Sequence, residues 1–168
     1  VGRRPNTDQL GLNNTNIKLS KRGLIEVNDS MQTSVKHIYA IGDVVAGPAL
    51  AHKASFEAKV AAAAMGGKDA HDTHYVLPAV AYPNIDLATV GETPPSIAEK
   101  KLDAKSSKFP FAASGRAMTM DQTEGFIRLI TDNPTGGIIG AQIVGPEASN
   151  LISELTLAIE NGLTIKDI

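Results

Sequence analysis

Gly42 and Asp43 are the residues of this chain best suited to chemistry. They close a short apolar run, His37–Ile41, within the segment Thr33–Asp43. Shortly beyond them a helix is predicted to begin near Leu50-Ala51-His52. A carboxylate accepts hydrogen bonds from a hydroxyl-rich chain, and a helix N-terminus offers N–H donors that have no partner within the helix. Gly42 lacks a Cβ, so backbone and ligand can approach closely. Taken alone, an aspartate after a strand is more often a turn or N-cap residue. Ala49, Leu50, Ala51 and His52 could open an ordinary helix or contact a ligand, and spacing alone does not separate the two. Those four residues would act through backbone amides, with about half a positive charge at the helix end.

The other chemistry-bearing residues read more plainly. His71 and His74, in Asp69–His74, have the i, i+3 spacing of a metal pair on a helix. Their polar surroundings favour a solvated linker, and no metal site is assigned. His37 precedes a strand and is expected at the surface. Met118 and Met120 are read as interface or core packing residues in a strand-like segment. Gly136-Gly137 and Gly140 follow the order of a hairpin turn and a strand, whereas a phosphate cradle needs strand, glycine loop, then helix. Glu154 and Glu160 are expected on a solvated helix face. With no cysteine among the 168 residues, disulfides, thiolate zinc sites and cysteine nucleophiles are excluded within this chain.

The elements that must position these residues fall into two groups. Gly11–Ser20 is a polar loop, Gly23–Val27 a short strand, Ser30–Val35 a loop and His37–Asp43 a strand ending in the carboxylate. Ala51 to Met65 holds enough alanine for a slim helix, stopped by Gly66-Gly67. A domain boundary is placed near Tyr75. Past it, Pro78–Tyr82, Leu87–Gly91, Ser106–Ala112, Phe126–Ile130 and Ile138–Val144 are five strand candidates, with Asp132–Gly137 a hairpin turn. Pro94 and Pro95 open a helix over Ser96–Leu102. Ala148–Asn161 carries Leu151, Ile152, Leu155 and Ile159 at helical spacing, and Gly162 ends it. Strands followed by packed helices indicate an α+β fold with an antiparallel sheet.

Bulk composition excludes other roles. Apolar residues make up 42% and charged residues 20%, enough for a packed core. Sixteen Lys and Arg against 18 Asp and Glu leave a net charge of −2, so neither a nucleic acid nor a membrane surface is expected as a partner. No stretch approaches a membrane span, and no signal-peptide pattern opens the chain. A first residue that is not methionine suggests a piece of something longer.

The segment Tyr39-Ala40-Ile41-Gly42-Asp43 resembles the second flavin-binding motif of the flavoprotein disulfide reductases. Gly47-Pro48-Ala49-Leu50-Ala51-His52-Lys53-Ala54 narrows the likeness to the dihydrolipoamide dehydrogenase branch, since glutathione-reductase-like members usually carry Thr-Pro where this chain has Ala51-His52. The likeness runs the length of the chain but covers only the C-terminal part of that family's chain. It implies residues 1–74 as the end of the FAD/NAD-binding region and residues 75–168 as the dimerisation domain, a five-stranded antiparallel sheet with flanking helices, cut short at its C-terminus.

The same resemblance implies FAD, with Asp43 holding a ribityl hydroxyl and Ala49, Leu50, Ala51 and His52 lining the pyrimidine edge beside Gly42. It implies NAD near Gly2 of Gly2-Arg3-Arg4-Pro5-Asn6. The implied parent enzyme reoxidises dihydrolipoamide and reduces NAD, is a cytoplasmic homodimer joined through its C-terminal domain, and works with 2-oxo acid dehydrogenase complexes. The family's redox cysteine pair and its His-x-His-Pro segment fall outside the 168 residues. No catalytic residue is therefore assigned, and the chain alone is expected to be inactive and to bind FAD weakly or not at all. Residues before Tyr75 are expected to be less ordered than the rest.

Two departures stand out. Pro83-Asn84-Ile85 stands where relatives typically read Thr-Asp-Pro, and Phe56-Glu57-Ala58-Lys59 replaces a commoner Glu-Gly pairing. Two other readings remain open: another reductase of the family, such as a mercuric reductase or soluble transhydrogenase, and a stand-alone dimerisation module without chemistry.

Overall fold

The computed structural model describes residues 2–71 and 76–168. The chain divides into two compact units, Val1–Tyr75 and Val76–Ile168.

The first unit is built around one helix. Helix α1, Ala51–Met65, begins after an extended Leu50 and ends at Gly66, whose N–H donates to the Ala62 carbonyl. Its buried face presents Val60 and Ala61 to Met31, with Val27, Tyr39, Ile41 and Phe56 packed around them. Alanine on that face lets the irregular chain lie close to the helix axis. A second small core holds Ile25, Ala40 and Val45.

The two strands expected here do not form. Segments 23–27 and 37–41 form the isolated bridges Leu19↔Ile25, Val27↔Thr33 and Gln32↔Tyr39 in place of a continuous ladder. Tight turns explain this. Met31 N–H bonds the Asn28 carbonyl and Ile38 N–H bonds that of Val35, so the chain reverses before a ladder can propagate. Backbone groups are satisfied one at a time instead, as with Ile25 N–H to Val44 and Ala40 N–H to Met31. Apolar content alone therefore misread 37–41 as regular strand.

The second unit is a five-stranded antiparallel sheet of β1 (Ala79–Ala81), β2 (Leu87–Gly91), β3 (Ala104–Pro110), β4 (Phe126–Asp132) and β5 (Ile138–Val144), in the order β1-β2-β5-β4-β3. All five expected strands are present. β5 lies at the centre because Ile138, Ala141 and Ile143 are fully apolar and buried. The β4–β5 hairpin is closed by Asp132, whose carboxylate accepts from Thr135 N–H and Oγ1.

Helix α4, Ala148–Glu160, covers one face of the sheet. Its Ala148, Ile152 and Leu155 join Ala88, Val90, Ala141 and Ile143 in one core. Helix α2, Pro94–Lys100, carries Pro94 and Pro95 in its first turn, as expected. It is held by a capping box in which Thr93 Oγ1 accepts from Ser96 N–H and Ser96 Oγ accepts from Thr93 N–H. The segment around Met118 is not strand but the short helix α3, Gly115–Thr119, started by Ser114 accepting from Ala117 N–H. Among the described residues no helix is long and apolar enough to cross a membrane.

Candidate functional site

In the first unit, residues 42–44 form one turn of 3-10 helix. Gly42 sits there at φ 78°, a left-handed conformation that favours glycine, and it is buried. A Cβ at this position would lie 3.3 Å from Ala54 Cβ, so the turn is pressed against the opening turns of α1.

Two charged side chains of α1 hold it there. Glu57 Oε2 accepts the Gly42 N–H at 2.6 Å, and Lys53 Nζ donates to the Gly42 carbonyl at 3.1 Å. Lys53 and Glu57 pair with each other at 2.7 Å, with side chains only 4% and 2% exposed. From the sequence, Lys53 stood within the quoted motif and Glu57 within a noted departure, but neither was given a role. A signal was present in their i, i+4 spacing, but on most helices that spacing marks a solvated surface pair.

Asp43 follows directly and points the other way with respect to solvent. Its carboxylate is about half exposed, and Oδ2 accepts from Arg3 Nη1 at 2.9 Å. Arg3 is itself mostly exposed, so this ion pair is worth little and yields readily to a competing donor. It also brings the N-terminal Gly2-Arg3 segment beside Asp43. Gly2 is exposed at φ 129° with open space where a Cβ would stand.

Ala49, Leu50, Ala51 and His52 run into α1, and no side chain caps its first turn. Ala49, Ala51 and His52 are exposed and Leu50 is half-buried. The structure thus brings Gly42, Asp43 and the start of α1 together, with Arg3 as an added member. The remaining sequence candidates stay apart. His71 pairs with Asp69 at the surface, His74 lies outside the described residues, and no metal-holding cluster occurs among the described residues. A depression of about 590 Å³ in the second unit, between Asp86, Asp121, Glu124 and Glu147, contains none of them.

Such an arrangement can hold a polyhydroxylated, partly anionic ligand: a half-exposed acceptor, a glycine that permits close approach, and a helix dipole. The profile described as pyridine nucleotide-disulphide oxidoreductase, dimerisation domain, matches residues 77–168, and that described as pyridine nucleotide-disulphide oxidoreductase matches residues 1–58. The chain belongs to the pyridine nucleotide-disulphide oxidoreductase family. Within that family it is similar to the dihydrolipoyl dehydrogenases of Staphylococcus aureus, at 52% identity, and Geobacillus stearothermophilus, at 51%. Each likeness runs over all of this chain and 36% of the relative. The crystal structure of LpdA from Mycobacterium tuberculosis superposes with a TM-score of 0.88 at 27% identity, over 99% of this chain and 36% of that one. The chain therefore spans about a third of the length of the curated relatives it matches.

Proposed function

We propose that the chain is the C-terminal, FAD-contacting and dimer-forming portion of a dihydrolipoamide dehydrogenase, a cytoplasmic enzyme that passes electrons from dihydrolipoamide through FAD to NAD. Residues 1–74 complete the FAD/NAD-binding region, and residues 75–168 form the dimerisation domain. The observation that carries this reading is the joining of Gly42 and Asp43 to the opening turns of α1 by bonds at both polar atoms of Gly42. Names borne by relatives of about half-identical sequence point to the same activity.

The residues fit the cofactor. Asp43 would take a ribityl hydroxyl in place of Arg3, Gly42 would admit the flavin chain close to the backbone, and the α1 start formed by Ala49, Leu50, Ala51 and His52 would face the pyrimidine edge. Gly2 would stand beside NAD. When bound, FAD supplies the two-electron carrier between dithiol and nicotinamide. The chain's own contribution is to bind and orient. With no cysteine and no assigned acid–base histidine, it supplies neither the dithiol exchange nor the proton transfer. Those groups belong to the rest of the enzyme.

The second unit supports self-association through exposed apolar side chains, among them Phe109, Met118, Leu151 and Leu157. A homodimer serving 2-oxo acid dehydrogenase complexes is the assembly this reading requires.

The full-length protein is expected to reduce NAD with dihydrolipoamide and to leave mercuric ion unreduced, while the 168-residue chain turns over neither lipoamide nor a diaphorase dye. Mercuric ion or NADPH transhydrogenation as the favoured reaction would reassign the enzyme within the family. Turnover by the chain alone would refute its proposed division of labour.

A further inference from the structure

We propose that the buried Lys53–Glu57 pair is a positioning device that sets the register between the Asp43 turn and the N-terminus of α1, so that both meet one FAD molecule. This rests on the flavin reading of that site. Both polar groups of Gly42 end on the pair, the N–H on Glu57 and the carbonyl on Lys53, while the two side chains close the triangle between themselves. The turn can neither slide along α1 nor rotate about it without taking the buried Gly42 N–H and carbonyl from their charged partners, a costly state.

The intervening loop is adapted to the same side chain. A Cβ at Gly47, which has φ 105°, would fall 2.6 Å from Lys53 Cε, so the Lys53 stem runs directly beneath this loop. Lys53 and Glu57 thus tie down the backbone at Gly42, where the path to Leu50 begins, and Lys53 also packs against it at Gly47, within that path. Stability alone would not ask for this arrangement. A buried ion pair is often replaceable by apolar residues of similar volume without loss, and what charged groups add is a single geometry. A ligand held at one end by Asp43 and at the other by a helix terminus needs such fixed spacing.

The test uses the full-length protein bearing Lys53→Met together with Glu57→Gln. This neutral pair keeps an acceptor for the Gly42 N–H and removes the donor to its carbonyl. The expected result is FAD dissociation about tenfold or more easier, judged from the loss of one charge-assisted bond. The visible flavin spectrum should shift, the far-ultraviolet circular dichroism should not change, and kcat should recover at saturating FAD. FAD affinity and flavin spectrum both equal to those of the unsubstituted enzyme would overturn the proposal. Asp43→Ala separates the two levels. Should it weaken FAD while the double variant does not, only the positioning role falls; should neither weaken it, the flavin reading falls as well. A readout without any substitution keeps the idea testable if the variant fails to fold. In the 168-residue chain the Gly42 amide must exchange with deuterium as slowly as interior α1 amides, and exchange at the rate of exposed loops would overturn the clamp.

Discussion

Glu92 shows how a single carboxylate can report its surroundings. Lys100 Nζ donates to Oε1 and Ser96 Oγ to Oε2, each at 2.6 Å, and these bonds hold its pKa below the ordinary 4.5 against a smaller opposing effect of burial. A depressed folded-state pKa contributes stability that is complete above the unfolded value and is lost as pH falls through the folded one. Chemical denaturation of the chain and of its Glu92→Gln variant should therefore show a stability gap above about pH 5 that narrows below pH 4.5. A gap that stays constant through acid would show that the α2 cap does not depend on this charge.

At this same scale, legibility from sequence was uneven. Gly42, Asp43 and the start of α1 could be picked out as candidates because Tyr39–Asp43 and Gly47–Ala54 resemble a family motif that is contiguous in sequence; the residue types alone suited an ordinary turn and helix start as well. Lys53 and Glu57 could not be given a role in this way. Their spacing is that of countless solvated pairs, and only the folding of residues 42–50 across them takes them out of water. Arg3 was likewise hidden, since its partner Asp43 lies 40 residues away.

Elements of the second unit were more readable than those of the first. Runs such as Ile138–Val144 find long ladders on both sides, so pattern and structure coincide. In the first unit the equally apolar 37–41 run meets turns on either side and keeps a single bridge. Helix α3 was missed because Met118 and Met120 drew attention to packing, although Ser114 three residues ahead of Ala117 carries an N-cap signature. Close strand packing also makes a prediction. A Cβ on Gly140 would stand 2.0 Å from the Glu92 carbonyl oxygen, which is backbone and cannot swing away. Gly140→Ala should cost about 1–3 kcal/mol or more of stability, measured by urea unfolding of the chain. A loss under a few tenths would mean that the β2–β5 edge is looser than the geometry shows.

For the molecule as a whole, the two units divide the labour. One gathers Gly42, Asp43 and the start of α1 on a buried ion pair, and the other supplies a sheet with α4 on one face and exposed apolar residues elsewhere. Family models match both units, and the proposed cofactor site depends on the first. The most direct measurement is a structure of the full-length protein with FAD bound. The account predicts the Asp43 carboxylate within about 2.6–3.2 Å of a ribityl hydroxyl, with the opening turn of α1 against the pyrimidine edge of the same flavin. An Asp43 still paired with Arg3, and a flavin lying away from residues 42–52, would contradict it.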